Sequence, residues 1–285
     1  MLTATSLDGR PVAALIWEDV ASRAASFAAS VGRPPRVALV AVDEDPEFGA
    51  YAGSIERSFG RYGLEVARKS LGGGATQGNL EQLLRELGVD SEVDGVLLQA
   101  PLPAPLDGAL AIARSLPPEK DIEGIHPAHS GALAIGKSAV APSTPAGGME
   151  ILKFYGIAPQ GKRAVIIGRS AIVGRPLSWL LLAQDATVTV CHSRTIDLPL
   201  VTREADILAA AIGRPGFVSS EMVKPGAVVL DFGTTYVDGK LRGDVDADTV
   251  MEIAGALTPV PGGTGPVTTA VLGRCLIEAA ERLKK

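Results

Sequence analysis

The chain has 285 residues, a net charge of −5, and 46% apolar against 21% charged residues, the balance of a globular protein long enough for two ordinary domains. The acidic balance without a Lys/Arg stripe argues against a nucleic-acid surface, and no apolar run approaches the ~18 residues of a membrane span. Cys191 and Cys275 have no CxxC spacing, the histidines form no HExxH, and residues 1–5 lack a signal-like start, so a metal-free cytoplasmic protein is expected.

Strand then helix is the repeating pattern. Residues 15–31 form an opening amphipathic helix. The continuous apolar run RVALVAV (36–42) reads as a buried parallel strand, followed by a helix over 46–62. Residues 64–71 make a second strand. Thr76 caps a helix that carries Leu80, Leu83, Leu84 and Leu87 at helical spacing. A third strand (94–99) ends in the turn Ala100-Pro101-Leu102-Pro103. This alternation implies α/β architecture, a parallel sheet covered by helices.

The small, turn-rich stretch 138–148 marks a boundary, after which strands at 162–168, 186–191, 206–212 and 227–232 begin a new series. TPVPGGTG (258–265) is a second joint. The last helix, 266–283, cannot form a domain alone and is expected to pack back on the first half. The predicted organisation is thus 1–140 plus 266–285, and a Rossmann-like domain over 141–265.

Residues 162–176 read KRAVIIGRSAIVGRP: an apolar strand running into Gly168, then Ser170, then Gly174 before an apolar helix. Glycine at the strand end lets the chain turn and lets backbone N–H groups approach a pyrophosphate at the helix N-terminus. The spacing departs from G-x-G-x-x-G, and an ordinary βα turn can also carry such glycines. The next strand ends about twenty residues on, where an NAD enzyme places a ribose-binding acid. Here stand Cys191, His192, Ser193 and Arg194. A carboxylate would repel a 2′-phosphate. Ser193 and Arg194 can hydrogen-bond one, and Arg169 belongs to the same end of the site, so NADP is the expected cofactor. A solvated loop charge is the ordinary alternative for Arg194.

Three further segments need one explanation: DGVLLQAPLP (94–103), PPEKDIEGIHP (117–127) and TPVPGGTGPVT (258–268). With PSTPAG (142–147) and GRSAIVGRP they resemble, in order and over nearly the whole chain, the methylenetetrahydrofolate dehydrogenase/methenyltetrahydrofolate cyclohydrolase family. The resemblance implies NADP-dependent oxidation of 5,10-methylenetetrahydrofolate and hydrolysis of the methenyl product to 10-formyltetrahydrofolate. It also implies a homodimer and a folate held between the domains. It makes Tyr51, Gln99 and Asp121 the catalytic residues, with Tyr51, Asp121, Pro261, Gly262 and Gly263 on the substrate. Thr144, Gly168, Arg169, Ser170, Val173, Gly174, Ser193, Arg194 and Thr234 would hold the cofactor.

Asp121 can accept paired hydrogen bonds from a pterin's N–H and amino groups, or else cap its own loop. Tyr51 can stack on the folate's aromatic part or serve as a core aromatic. Gln99 can orient water or be a satisfied structural amide. The chain departs from the family at four places. The family's catalytic lysine, four residues after the tyrosine, is Ile55, and the small polar stretch before the tyrosine is Glu47-Phe48-Gly49-Ala50. The aspartate–glycine turn reads Ile122-Glu123-Gly124, and an asparagine is replaced by His129. Rival readings are a shikimate-dehydrogenase-like enzyme, whose Lys–Asp pair finds no lysine here, and a dinucleotide-binding regulator, which would not need a pterin pocket.

Overall fold

The computed structural model describes residues 4–42 and 46–284, leaving the side chains of residues 46–48, 50 and 51 outside that description. In chain order the elements are β1 (Thr5–Ser6), α1 (Gly9–Val31), β2 (Arg36–Val42), α2 (Pro46–Arg61), β3 (Glu65–Leu71), α3 (Gln77–Val89), β4 (Gly95–Leu98), α4 (Gly108–Ser115) and α5 (Pro127–Ala134). They continue with α6 (Ser143–Phe154), β5 (Arg163–Ile167), α7 (Gly174–Leu182), β6 (Thr187–Cys191), α8 (Leu198–Thr202), β7 (Ile207–Ala210) and β8 (Val228–Asp231). The remainder are β9 (Thr235–Val237), β10 (Lys240–Arg242), α9 (Ala247–Val250), β11 (Ala256–Leu257) and α10 (Thr264–Leu283). The chain forms two compact units.

The three-stranded unit contains the described residues of Leu15–Ala132, Ser138–Ala141 and Thr269–Lys285. Its parallel sheet has the order β3-β2-β4, and Val96 bridges in parallel to Asp121 beyond the β4 edge. Strand β2 is buried from Val37 to Val42 because helices cover both its faces. Ala38, Val40, Val96 and Leu98 meet Leu80, Leu84 and Leu87 of α3 and Ala111 and Ile112 of α4. Thr76 caps α3 in a reciprocal box with Asn79, as its position ahead of the leucine series led us to expect for the start. The last helix packs back on this unit, as expected. A Cβ on Gly273 would come within 2.4 Å of the Trp17 ring, so glycine is what lets α10 approach α1. Arg23 of α1 closes the contact with two hydrogen bonds to Glu281. Trp17 also stacks on Tyr62 with 4.4 Å between ring centroids.

The six-stranded unit contains the described residues up to Ala14, with Leu133–Lys137 and Pro142–Thr268. Its parallel sheet has the order β1-β11-β8-β7-β5-β6. The chain moves from β5 through α7 to β6 and then crosses back to β7 on the other side of β5. That reversal opens a crevice at the C-terminal ends of β5 and β7, the usual ligand position in such sheets. One expectation needs correcting. Of the stretch expected in the first domain, Leu133–Lys137 and the described residues up to Ala14 belong here, the latter because Thr5–Ser6 pairs in parallel with Ala256–Leu257 and Leu7 N–H donates to the Leu257 carbonyl. Two two-residue strands carry no readable period, which is why the sequence hid them. The antiparallel β9–β10 hairpin was also unanticipated, and Tyr236 on it is 77% exposed.

Candidate active site

In the six-stranded unit, Gly168 follows β5 directly, with φ +124°. A Cβ there would lie 2.2 Å from the Ala211 carbonyl oxygen, so a side chain is excluded by both space and backbone conformation. A Cβ on Gly174 would lie 2.2 Å from the Gly168 carbonyl oxygen, so the first turn of α7 sits directly on the glycine loop. The Ser170 hydroxyl accepts from the Val173 and Gly174 N–H groups at 3.1 and 3.3 Å. Ser170 therefore shapes the turn, while its own hydroxyl proton stays free for a phosphate oxygen. These two glycines form a cradle that any side chain would fill, and such a cradle suits a pyrophosphate at a helix N-terminus.

Beside it lies a pocket of about 360 Å³ lined by Gly168, Arg169, His192, Ser193, Leu198, Ala211, Ile212, Arg214 and Phe217. It spans the ends of β5, β6 and β7, the adenosine end of a dinucleotide site in this topology. Among the described residues no carboxylate lines it. Among the sequence candidates, Gly168, Arg169 and Ser193 share this pocket, and Arg194 is exposed outside its lining, its backbone N–H donating to His192 Nδ1 at 3.2 Å. Thr144 lies in the first turn of α6, and Thr234 is exposed just beyond β8. Phe217 and Arg214 were not found from sequence; an Arg-Pro-Gly-Phe turn after a strand carries no signal separating them from an ordinary loop.

The loop after β7 is held from behind. Asp244, fully buried, accepts the N–H groups of Ile212, Gly213 and Arg214 at 2.6, 3.1 and 2.6 Å. Its own N–H and that of Val245 donate to the buried Asp231 at the end of β8. Burial pushes the Asp231 carboxyl up to about 6, against the pull of those N–H donors.

In the three-stranded unit, the loop after Lys120 reverses the role given to Asp121. Its carboxylate is 1% exposed and accepts the N–H groups of Glu123, Gly124 and His126 at 3.0, 3.0 and 2.6 Å. Asp121 is thus committed to holding its own loop, the alternative that its sequence position allowed, and is not a free pterin acceptor. Lys120 is committed too: its buried ammonium donates to the Leu87 and Asp90 carbonyls at 2.9 and 2.6 Å, at the C-terminus of α3. Glu123 carries the carboxyl without a hydrogen-bond partner among the described residues. Burial, with the Asp121 charge adding to it, pushes Glu123 up to about 8. In the sequence Glu123 shows only as a departure from the family's aspartate–glycine turn, and a second acid two residues from Asp121 is the available signal. His129 Nε2 lies 2.8 Å from the Pro118 carbonyl, so that ring also braces the loop.

Gln99, at the end of β4, keeps a buried Oε1 with no partner among the described residues. Ile55 is 3% exposed and shares the core face of α2 with Ala52 and Phe59. Tyr51 belongs to α2, but its side chain lies outside the described residues. The Pro261–Gly263 turn belongs to the six-stranded unit. Gly262 has φ +105°, and its carbonyl accepts from Gly9 N–H at 2.8 Å. A Cβ on Gly263 would lie 2.5 Å from the Pro259 carbonyl oxygen, so the backbone there is packed too closely for a side chain.

Comparison with known proteins also finds two domains, although the second match runs through α10 into residues that pack with the three-stranded unit. Residues 7–123 match the model of the tetrahydrofolate dehydrogenase/cyclohydrolase catalytic domain, and residues 142–284 match that of the family's NAD(P)-binding domain. The chain is 50% identical over 281 residues to the bifunctional protein FolD of Chloroflexus aurantiacus, covering 98% of each. Among solved structures, the FolD methylenetetrahydrofolate dehydrogenase/cyclohydrolase of Campylobacter jejuni superposes with a TM-score of 0.95 at 38% identity, over 98% of this chain and 99% of that one. The Trypanosoma brucei enzyme, solved with NADP cofactor and inhibitor, gives 0.93 at 33% identity over the whole of both chains. The shikimate 5-dehydrogenase of Thermus thermophilus, at 19% identity, 87% of this chain, 98% of that one and a TM-score of 0.52, shares the fold alone. The chain belongs to the tetrahydrofolate dehydrogenase/cyclohydrolase family.

Proposed function

We propose that this protein oxidises 5,10-methylenetetrahydrofolate to 5,10-methenyltetrahydrofolate with NADP, and that hydrolysis to 10-formyltetrahydrofolate is the weaker of its two activities. The observation that carries the reading is the arginine- and serine-lined pocket, free of carboxylate, at the strand ends of a chain belonging to this family. Bound NADP would supply the hydride acceptor. The cradle at Gly168 and Gly174 fits its pyrophosphate, and Arg169 and Ser193 fit its 2′-phosphate.

Hydride loss from the methylene bridge is driven by the neighbouring nitrogen lone pairs, so the protein's task in that step is positioning. Glu123 takes the role of pterin partner that Asp121 cannot fill: ionised, it accepts from both the ring N–H and the amino group. Tyr51 stacks on the folate, Gln99 orients the bridge or a water, and the Pro261–Gly263 backbone lies against the substrate. Hydrolysis needs a proton acceptor for water, and Ile55 offers none. We also propose a cytoplasmic homodimer joined through the six-stranded unit, which the exposed Tyr236 hairpin supports; light scattering tests it.

The deciding assay follows methenyl and NADPH absorbance separately, with purified protein, methylenetetrahydrofolate and either nucleotide. NADPH formation with slow decay of the methenyl signal is expected. Absence of NADPH formation overturns the reading.

A further inference from the structure

We propose that Arg214 is an additional contact for the 2′-phosphate and contributes to the choice between phosphorylated and unphosphorylated dinucleotides. The proposal rests on the NADP reading above. Arg214 follows β7, whereas Arg169 follows β5 and Ser193 follows β6, so the three reach one pocket from three strand ends.

Two guanidinium groups line this pocket, and neither pairs with a carboxylate among the described residues. Several arginines elsewhere are neutralised, Arg23 by Glu281, Arg33 by Asp94, Arg36 by Glu65 and Arg68 by Glu56, while others are single solvated charges. What sets Arg169 and Arg214 apart is that both line one concavity. Like charges facing one concavity repel, and an anion in the pocket relieves that repulsion. The side-chain N–H donors of Arg214 have no partner among the described residues, and they form a fork that matches phosphate oxygens.

The arginine is also held in place. Its guanidinium carbon lies 4.6 Å from the Phe217 ring centroid, a shelf that covers one face and leaves the N–H edge open. The Asp244 carboxylate pins three successive N–H groups of the loop, ending at Arg214 itself. A charge preorganised in this way loses little side-chain freedom when an anion arrives.

Calorimetric titration of the full-length protein with 2′,5′-ADP and with 5′-AMP separates the contributions, since the two probes share the adenosine and differ by the 2′-phosphate. Arg214 is exposed, so Arg214→Ala leaves the core intact. We expect Arg214→Ala to weaken 2′,5′-ADP about tenfold or more and 5′-AMP less than twofold, with Arg214→Lys recovering part of the loss. Equal weakening of both probes would assign Arg214 to the adenine instead, and no weakening of either would make it a solvated charge; each overturns the proposal. Arg169→Ala is the control. If it removes a preference for 2′,5′-ADP that Arg214→Ala leaves intact, Arg214 alone is refuted. If the unmodified protein binds both probes equally, the NADP reading falls with it.

Discussion

Glu123 donates its backbone N–H to the Asp121 carboxylate at 3.0 Å, while its own carboxyl is left without a hydrogen-bond partner among the described residues. The two acids, two residues apart, are thereby given different work. Burial raises the Asp121 carboxyl as well, but three N–H donors oppose that rise and favour its charge. Glu123 has none, and burial raises it to about 8.

A pterin offering two N–H donors binds the ionised Glu123, so binding releases a proton. Apparent folate affinity is then expected to rise about tenfold per pH unit up to about pH 8 and to flatten above it. In the unliganded protein the sign runs the other way. The folded state holds the Glu123 proton more tightly than the unfolded chain, so stability is lost as pH rises from about 4.5 to about 8. Glu123→Gln should flatten both profiles, in folate titrations and in Tm against pH. An unchanged binding profile in that variant would remove Glu123 from the pterin site.

Asp121→Asn should act first on stability. Asn keeps one carbonyl oxygen for three backbone donors and turns an amino group toward the rest. Losing charge-assisted bonds in a buried loop costs about 1.5–3 kcal/mol each, so a fall in Tm of several degrees is expected, with both activities declining together. A variant of normal Tm that fails to bind folate would restore Asp121 to the substrate.

NADP should be preferred strongly over NAD, and Arg169→Ala should reduce that preference more than Arg194→Ala does. Arg169 lines the adenosine-end pocket, whereas Arg194 is exposed outside its lining. A charge-assisted phosphate contact is worth about 1.5–3 kcal/mol, or roughly 10- to 150-fold in relative kcat/KM. Equal kcat/KM for the two cofactors in the unmodified protein would contradict the assignment, and a larger effect at Arg194 would place the 2′-phosphate differently.

Much of this was legible from the residues. RVALVAV and KRAVIIG announce strands because burial on both faces demands continuous apolar runs, and Gly168 announces the turn because nothing larger fits beneath Ala211. Thr5–Ser6 was illegible, since two residues show no period and their pairing partner lies some 250 residues away. Asp121 was misread because spacing cannot say whether a carboxylate faces a ligand or three amides of its own loop. Arg214 was missed because its shelf, Phe217, and its anchor, Asp244, are defined only once the chain has folded.

Ile55 carries the last prediction: hydrolysis should be weak relative to dehydrogenation, and Ile55→Lys should strengthen it. Packed with Ala52 and Phe59 at 3% exposure, Ile55 can neither give nor take a proton. Its neighbours do not compensate. Ser54 is exposed and Ser58 half-buried, but a hydroxyl without a base is a poor proton acceptor. Lys120 spends its ammonium on the Leu87 and Asp90 carbonyls. Gln99 can orient a water but cannot deprotonate it, and its buried Oε1 has no partner among the described residues. Losing a general acid–base group typically costs ~10²–10⁴-fold, whereas hydride transfer needs none and should survive. Ile55→Met separates chemistry from packing: it keeps the site apolar and should leave hydrolysis low, while Ile55→Lys raises the rate of methenyl decay even if its Tm falls. If the unmodified protein clears methenyl product as fast as it forms, and Ile55→Lys adds nothing, then another residue handles the proton and the argument from Ile55 fails.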